Sequence, residues 1–158
     1  MTRRFNAPWG KLLYAFTFVG ASVCAGAAWT SAVVGAPVLA TVCAGTLVGC
    51  AAFAVRGYRL EGDTLVIERL GWEKRVSLAG LEAVHHDKNL IDGALRVGNG
   101  GLFAFCGWFW SRKIGWFKLA GNDILGRAVL LELEGEKWMI TPADPETFVA
   151  AARQLIAD

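Results

Sequence analysis

The sequence predicts a pair of membrane-spanning helices followed by a small, mainly β (α+β) domain that ends in one helix. Three observations predict this fold class. The 158 residues have a mean hydropathy of +0.40, which is high for a soluble domain. The 44 positions between Lys11 and Arg56 carry no charged residue. After Arg56 the chain changes to short apolar runs separated by glycine-containing turns, a pattern typical of antiparallel β structure.

The uncharged stretch has the length of two membrane helices, because one helix needs about 20 residues to cross about 30 Å of hydrocarbon. Gly35-Ala36-Pro37 interrupts the stretch. We therefore predict a transmembrane helical hairpin over residues 12–55, with spans at 12–34 and 38–55 and a very short loop between them.

Basic residues predict the orientation of this hairpin. Arg3, Arg4 and Lys11 precede the first span, Arg56 and Arg59 follow the second, and the loop has no charge. Because Lys and Arg near the ends of spans stay on the cytoplasmic side, we expect residues 1–11 to form a basic cytoplasmic N-terminus. The chain would then be a multi-pass protein of the bacterial inner (plasma) membrane, with both termini in the cytoplasm.

A cleaved signal is the alternative interpretation of the same region. Arg3-Arg4 followed by an apolar run resembles a secretory or twin-arginine signal, with Ala25-Gly26-Ala27 as its cleavage site. We favour membrane spans because the apolar run continues through Val34 and a second run follows immediately.

Small residues are spaced four apart in both predicted spans, Ser22 and Gly26 in the first and Gly45 and Gly49 in the second. This spacing lets helix backbones approach closely. The two spans could pack against each other through these residues. The same residues could instead contact another copy of the chain or another membrane subunit.

Residues 56–158 are predicted to form a cytoplasmic domain of six to eight strands and one helix. Turns are expected at Gly62-Asp63 and Gly135-Glu136, and the alternation of Val129, Leu131 and Leu133 with Glu132 and Glu134 predicts a strand with one wet face. The candidate strands are 57–61, 64–70, 73–78, 83–87, 94–97, 116–119, 127–134 and 137–141.

The C-terminal helix has a clear start signal. Asp144 can cap a helix whose first residue is Pro145, and Phe148, Ala151 and Ala152 follow at helical spacing. Short strands followed by one helix predict a bent sandwich or barrel with the helix capping one open end.

The strand order and three segments resemble the bacterial pleckstrin-homology-like (PH-like) domain family. The segments are RVGNGGLF at 96–103, GWF at 107–109 and WMITPADPETF at 138–148. Lys118-Leu119-Ala120 departs from the tyrosine-alanine-threonine-like stretch expected after the glycine-rich loop. The resemblance implies a PH-like fold, often preceded by two membrane spans, and a membrane-associated binding or scaffold role. It supplies no catalytic residues.

Residues 102–118 are unusual, with seven aromatic residues among seventeen positions and basic residues at the end. Formal charge is +4 over 88–122 and −4 over 123–158, which predicts a domain with two electrical sides. The segment could be domain core, a membrane contact or a protein contact. As the contact surface we predict Trp108, Phe109, Trp110, Arg112, Lys113, Trp116 and Lys118.

The sequence contains no clear motif for catalysis, phosphate binding or metal binding. Gly98-Asn99-Gly100-Gly101 lacks the Lys-Ser or Lys-Thr of a phosphate loop, so we interpret its glycines as turn residues. His85 and His86 would point to opposite faces of a strand and could not share a metal. The four cysteines lack the spacing of a metal site or a disulfide framework. We therefore expect no enzyme, no cofactor and no bound metal.

Two functions remain from these observations. The first is a non-enzymatic, membrane-anchored binding or scaffold module at the inner leaflet that recruits a protein or anionic lipid headgroups. The second is a structural accessory subunit of a larger membrane complex. The expected partners are the lipid bilayer and either a membrane protein or another copy of the chain. Nucleic acid is not an expected partner, because the domain has 13 basic and 14 acidic residues.

Overall fold

The computed structural model describes residues 2–35, 37–87 and 95–157, and the side chains of these residues except 95–96 and 155–157. The helices are α1 (Lys11–Val34), α2 (Pro37–Ala52) and α3 (Pro145–Ala157). The strands are β1 (Thr2–Asn6), β2 (Val55–Glu61), β3 (Thr64–Arg69), β4 (Glu73–Ser77), β5 (Leu81–His86), β6 (Leu95–Gly100), β7 (Phe105–Ser111), β8 (Gly115–Gly121), β9 (Val129–Leu133) and β10 (Glu136–Ile140).

Each of the eight predicted strands corresponds to an observed strand, but β1 and β7 were not predicted. Ala94, the expected start of one strand, lies outside the described residues. The predicted turn at Gly62-Asp63 is confirmed, whereas the second turn is Glu134-Gly135, one residue earlier than predicted. Gly135 has a φ of 85°, a conformation that glycine adopts without a Cβ clash.

The strands form two sheets around a shared core. One sheet has the order β1-β2-β3-β4, and the other has the order β5-β9-β10-β8-β7-β6, in which β10 and β8 are parallel. Tyr58, Leu131 and Phe148 are fully buried in the core, to which both sheets and α3 contribute. The predicted cap of α3 is confirmed, since the Thr147 backbone N–H donates to the Asp144 carboxylate at 3.1 Å.

The N-terminal residues belong to the domain, which differs from the prediction of a basic tail over residues 1–11. β1 pairs antiparallel with β2, from Thr2 opposite Glu61 to Asn6 opposite Gly57. Phe5 is buried in the core with its ring centroid 5.0 Å from that of Phe148. Since only one residue in this strand is strongly apolar, its pairing could not be read from hydrophobic periodicity. The connection between β1 and β2 consists of α1 and α2.

The two consecutive helices contact each other and expose large apolar side chains. Phe18, Trp29, Val34 and Val38 are each more than 70% exposed. Among the described residues, α1 is the one helix long and apolar enough to cross a membrane by length and composition. α2 has 16 residues and ends at Ala52, and β2 begins three residues later at Val55. The helix is therefore shorter than the predicted span over residues 38–55. The second span therefore stays a prediction.

A second core lies on the other face of the six-stranded sheet. Leu13 at the start of α1 is fully buried there, together with Phe105, Phe109, Phe117 and Met139. Trp9 and Leu12 pack against the same cluster. The beginning of α1 is thus packed against the domain, and the predicted span over residues 12–34 begins at this contact.

Candidate binding site where the helices meet the sheet

β7 and β8 divide the predicted contact residues between two faces. Phe109 is only 3% exposed and stacks on Phe117, with ring centroids 6.0 Å apart. It lies in the second core and therefore does not belong to the contact surface. Trp108 and Trp116 point to the opposite face and are 48% and 52% exposed. Alternation along a strand accounts for this division, because neighbouring side chains point to opposite sides of a sheet.

We call Trp108, Trp110, Trp116, Lys118 and Trp138 the tryptophan face. Trp108 lies opposite Lys118, and Trp110 lies opposite Trp116. Trp138 on β10 is the parallel neighbour of Lys118. Four tryptophans from three strands therefore share one face of the sheet with Lys118, and residues far apart in the sequence form one surface.

Lys118 contacts two indole rings of this face and one carboxylate. Its Nζ lies 5.0 Å from the Trp108 ring centroid and 5.2 Å from that of Trp138, distances suited to cation–π interaction. The same Nζ forms an ion pair with Glu136, which also accepts a hydrogen bond from Trp138 Nε1 at 2.9 Å. The Lys118 contact, followed by that of Trp138, lowers the pKa of the Glu136 carboxyl. Lys118 is thus already paired and is less available as a basic contact than predicted.

The tryptophan face is partly exposed, because the shared core buries Trp138 but leaves Trp108 and Trp116 accessible. One row of cross-strand neighbours runs from β5 to β6. Its members at the β5 side are buried in the shared core, and its members at the β6 side are exposed. In order they are Val84, Leu131, Trp138, Lys118, Trp108 and Val97.

A cavity of about 590 Å³ lies between the tryptophan face and the end of α2. Thr46, Gly49 and Cys50 line it from the helix, and Trp108 and Trp138 line it from the sheet. Cys106 also borders the cavity, and burial raises the pKa of its thiol. A raised pKa disfavours the thiolate, so this cysteine does not have the character of a nucleophile.

Arg69 and Lys118 are the two cations that line this cavity, and Arg69 was not predicted from the sequence. Its guanidinium carbon lies 4.3 Å from the Trp72 ring centroid and 5.1 Å from that of Phe53. Trp72 Nε1 donates to the Ala52 carbonyl at 3.2 Å, which ties this cluster to the end of α2. The Arg69 Nε is buried without a hydrogen-bond partner. Trp72, three residues after Arg69, was the available signal in the sequence.

The β6–β7 loop is attached to α1. Thr17 Oγ1 donates to the Gly101 carbonyl at 3.1 Å and accepts from the Phe103 backbone N–H at 3.0 Å. Gly98 lies inside β6, where an added Cβ would be 2.5 Å from the Cys106 carbonyl oxygen. The interpretation of this glycine as a turn residue is therefore wrong, since its role is close approach of two strands.

The remaining basic residues are distributed differently from the prediction. Arg112 and Lys113 are exposed on the β7–β8 turn. β8 and β10 are adjacent, so Lys118 of the basic segment pairs with Glu136 of the acidic segment. The predicted separation into two electrical sides is absent at these strands. Lys88 and Asp92, which entered the charge count, lie outside the described residues.

The small residues of the helices face open space. A Cβ added at Gly26, Gly45 or Gly49 would have no neighbouring atom within 4 Å, and Ser22 is exposed. Cys24 and Cys43 contact each other instead. The glycines therefore do not mediate the contact between α1 and α2.

The two histidines have separate contacts. His86 Nδ1 lies 2.9 Å from the Ala128 carbonyl oxygen, and His85 Nε2 lies 3.8 Å from a Glu132 carboxylate oxygen. Within ranges 2–35, 37–87 and 95–157, no group of three or more His, Cys, Asp or Glu side chains could hold a metal ion.

A family model described as the bacterial PH domain matches residues 56–156, well over half of the chain. The chain belongs to the bacterial PH domain family. Comparison with curated proteins and comparison with solved structures gave no match. The predicted PH-like resemblance is thereby confirmed for the domain, while α1 and α2 lie outside the match. β1 also lies outside it, so the chain adds an N-terminal strand to its bacterial PH domain.

Proposed function

We propose that this protein is a non-enzymatic, membrane-anchored binding module. Two spans hold the bacterial PH domain at the inner leaflet, where the tryptophan face recruits a protein partner or anionic lipid headgroups. The observation that carries the proposal is the exposure of Trp108 and Trp116 on one face of the domain, where Trp108 lines the cavity beside the end of α2. Large exposed aromatic patches on folded domains mark contact surfaces, and indole rings favour the membrane–water interface.

The exposure of α1 supports the membrane anchor. An apolar helix in a soluble protein is normally buried in a core, whereas only 6% of the most apolar window of α1 is buried. Phe18 and Trp29 are both 75% exposed. Such side chains are stable on a helix surface when hydrocarbon surrounds them.

The pairing of β1 with β2 supports an even number of crossings. The residues before α1 and after α2 lie in one sheet, so they lie on the same side of any membrane. If α1 crosses, α2 must return the chain. A 16-residue helix is about 24 Å long, and local thinning of the bilayer can absorb the difference from about 30 Å.

The basic flanks support a cytoplasmic domain. Arg3, Lys11 and Arg56 are exposed near the ends of the helices. Arg4 contributes less, because it forms a salt bridge of 2.7 Å with Glu68. Retention of the exposed cations on the cytoplasmic side would orient the domain toward the inner leaflet.

Replacement of Trp108 and Trp116 by Ala in the full-length protein tests the binding surface. In nanodiscs containing anionic lipid, or with a purified partner, we expect the amides of β7 and β8 to exchange hydrogen more slowly than in detergent. The double variant should lose this protection while its circular dichroism stays unchanged, because both side chains are about half exposed.

The matched control is Leu125→Ala, which removes an exposed apolar side chain from another part of the domain. It should keep the protection of β7 and β8. Unchanged protection in the double variant, or loss of the folded domain, would contradict the proposed role of the tryptophan face.

A structural accessory subunit is the second candidate, and the open faces around Gly26, Gly45 and Gly49 favour it. Small residues with free space beside them allow another helix to approach closely. A stoichiometric membrane partner in mild-detergent preparations would favour this candidate, and a monomer would favour the binding module.

A further inference from the structure

We infer that the cavity beside α2 binds one anionic phospholipid of the inner leaflet, with the headgroup at Arg69 and one acyl chain between α2 and the tryptophan face. The inference rests on the membrane anchoring proposed above and adds a ligand class and a site to it. The residues that carry it are Arg69, Phe53 and the helix residues that line the cavity.

The cavity has the size and lining of a site for an apolar chain. Its volume of about 590 Å³ lies within the range of about 300–1,000 Å³ typical of ligand sites. Thr46, Gly49 and Cys50 are small, so they leave room along the helix. Phe53 and Trp108 line the opening and are 42% and 48% exposed, so the cavity is accessible from outside.

Arg69 gives the cavity an uncompensated positive charge. Its guanidinium is held beside Trp72 and Phe53, and its buried Nε lacks an acceptor. Within the described part of the chain, no carboxylate forms a salt bridge with Arg69. Lys118, the other cation of the cavity, is paired with Glu136. A partly buried donor without an acceptor favours an anionic ligand.

Arg69 also lines a second cavity of about 480 Å³. Arg4 and Arg56 line it. Its two carboxylates, Glu68 and Glu73, are already paired with Arg4 and Arg59. A phosphate at Arg69 would therefore also lie near the exposed Arg56.

The arrangement matches the orientation of a lipid in the leaflet. Phe53 directly follows α2, at the end of the helix nearest the domain, and Thr46 lies seven residues earlier, about 10 Å further along a helix. A lipid with its headgroup at Arg69 would extend its chain toward Thr46 and the bilayer interior. A zwitterionic headgroup brings its own cation, so phosphatidylethanolamine should bind less well than phosphatidylglycerol.

Native mass spectrometry of the full-length protein tests this inference. The detergent-purified protein is first stripped of lipid and then titrated with phosphatidylglycerol or phosphatidylethanolamine. Arg69→Met removes the charge, and Gly49→Leu fills the cavity, where an added Cβ meets no atom within 4 Å. We expect Arg69→Met to lower phosphatidylglycerol binding at least about tenfold, as the loss of one charge-assisted hydrogen bond predicts. Gly49→Leu should also lower binding, because its side chain would occupy the space of the acyl chain.

The controls are Arg75→Met, an exposed arginine on β4, and Gly26→Leu, a helix glycine with equally open surroundings that lies on α1 and outside the cavity lining. Both should bind phosphatidylglycerol like the wild type. Equal binding of the two lipids, or unchanged binding in Arg69→Met and Gly49→Leu, would overturn the inference. The effect of the Trp108 and Trp116 variants on β7 and β8 is a separate readout, so the proposed function can hold if the lipid site fails.

Discussion

Asn122 joins the two places where the chain leaves the domain and returns to it. Its side-chain amide donates to the Ala7 carbonyl at 2.8 Å and to the Val55 carbonyl at 2.7 Å. Ala7 lies between β1 and α1, and Val55 is the first residue of β2. Asn122, Ala7 and Val55 are all buried, so these two hydrogen bonds form out of contact with water.

Asn122→Ala should destabilise the domain strongly for this reason. Loss of two buried hydrogen bonds is expected to cost roughly 1–3 kcal/mol, since one such bond contributes about 0.5–1.5 kcal/mol net. The measurement is the free energy of unfolding of the wild type and of the Asn122→Ala variant, determined by denaturant titration in detergent. Asn99→Ala is a useful control, because Asn99 bonds within its own loop. A loss below about 1 kcal/mol, the cost of one ordinary hydrogen bond, would contradict the role assigned to Asn122.

The roles of residues whose contacts are distant in the sequence were the hardest to predict from the sequence. Arg69 is a site residue because Phe53 and Trp72 hold it beside α2, and Phe53 is distant in sequence. Gly98 requires glycine because Gly107 crosses it on the neighbouring strand. In contrast, the Asp144 cap was predictable, because its partner Thr147 lies three residues away.

Among the elements, strands with clear alternation or turn signals were predictable, whereas β1 and β7 were not. β7 contains Gly107 and large aromatic residues on both faces, and this composition hides a strand pattern. β9 was predicted with one wet face, but Leu130 on that side is only 3% exposed. The start of α1 covers it, so contact with the N-terminal segment explains the difference.

Because β8 and β10 are adjacent, Lys118 and Glu136 form an ion pair on the tryptophan face. The stability that this ion pair contributes depends on pH. Contacts with Lys118 and Trp138 hold the pKa of Glu136 below its ordinary value of 4.5. Because the folded pKa is lowered, the ion pair stabilises the fold fully above pH 4.5 and progressively less as pH falls through the folded pKa. Glu136→Gln should therefore lower the melting temperature near pH 7 and have little effect at pH 3.

Melting followed by tryptophan fluorescence between pH 3 and 7 measures this dependence, with Glu134→Gln on the neighbouring turn as the control. Among the described residues Glu134 forms no salt bridge. The account of Lys118 and Glu136 fails if the Glu136→Gln variant differs from the wild type equally at both ends of the pH range.

On the scale of the whole molecule, α1 and α2 form an insertion between the paired strands β1 and β2. The domain contacts both of these helices. α1 binds the β6–β7 loop through Thr17, and α2 borders the cavity on the tryptophan face. The membrane-like character of the chain could be predicted from its uncharged stretch. The attachment of the domain to the helices could not, because it depends on contacts between β1, α1 and the six-stranded sheet.

Accessibility of single cysteines in cell membranes tests the central claim most directly. The four native cysteines are replaced by Ala, and one cysteine is introduced at Thr2, Val34 or Lys74, all exposed positions. With an impermeant maleimide, we predict that Val34→Cys reacts only from outside and that Thr2→Cys and Lys74→Cys react only from the cytoplasmic side. Reaction of Val34→Cys from the cytoplasmic side, or of Thr2→Cys and Lys74→Cys from opposite sides, would contradict a membrane-anchored domain with two spans.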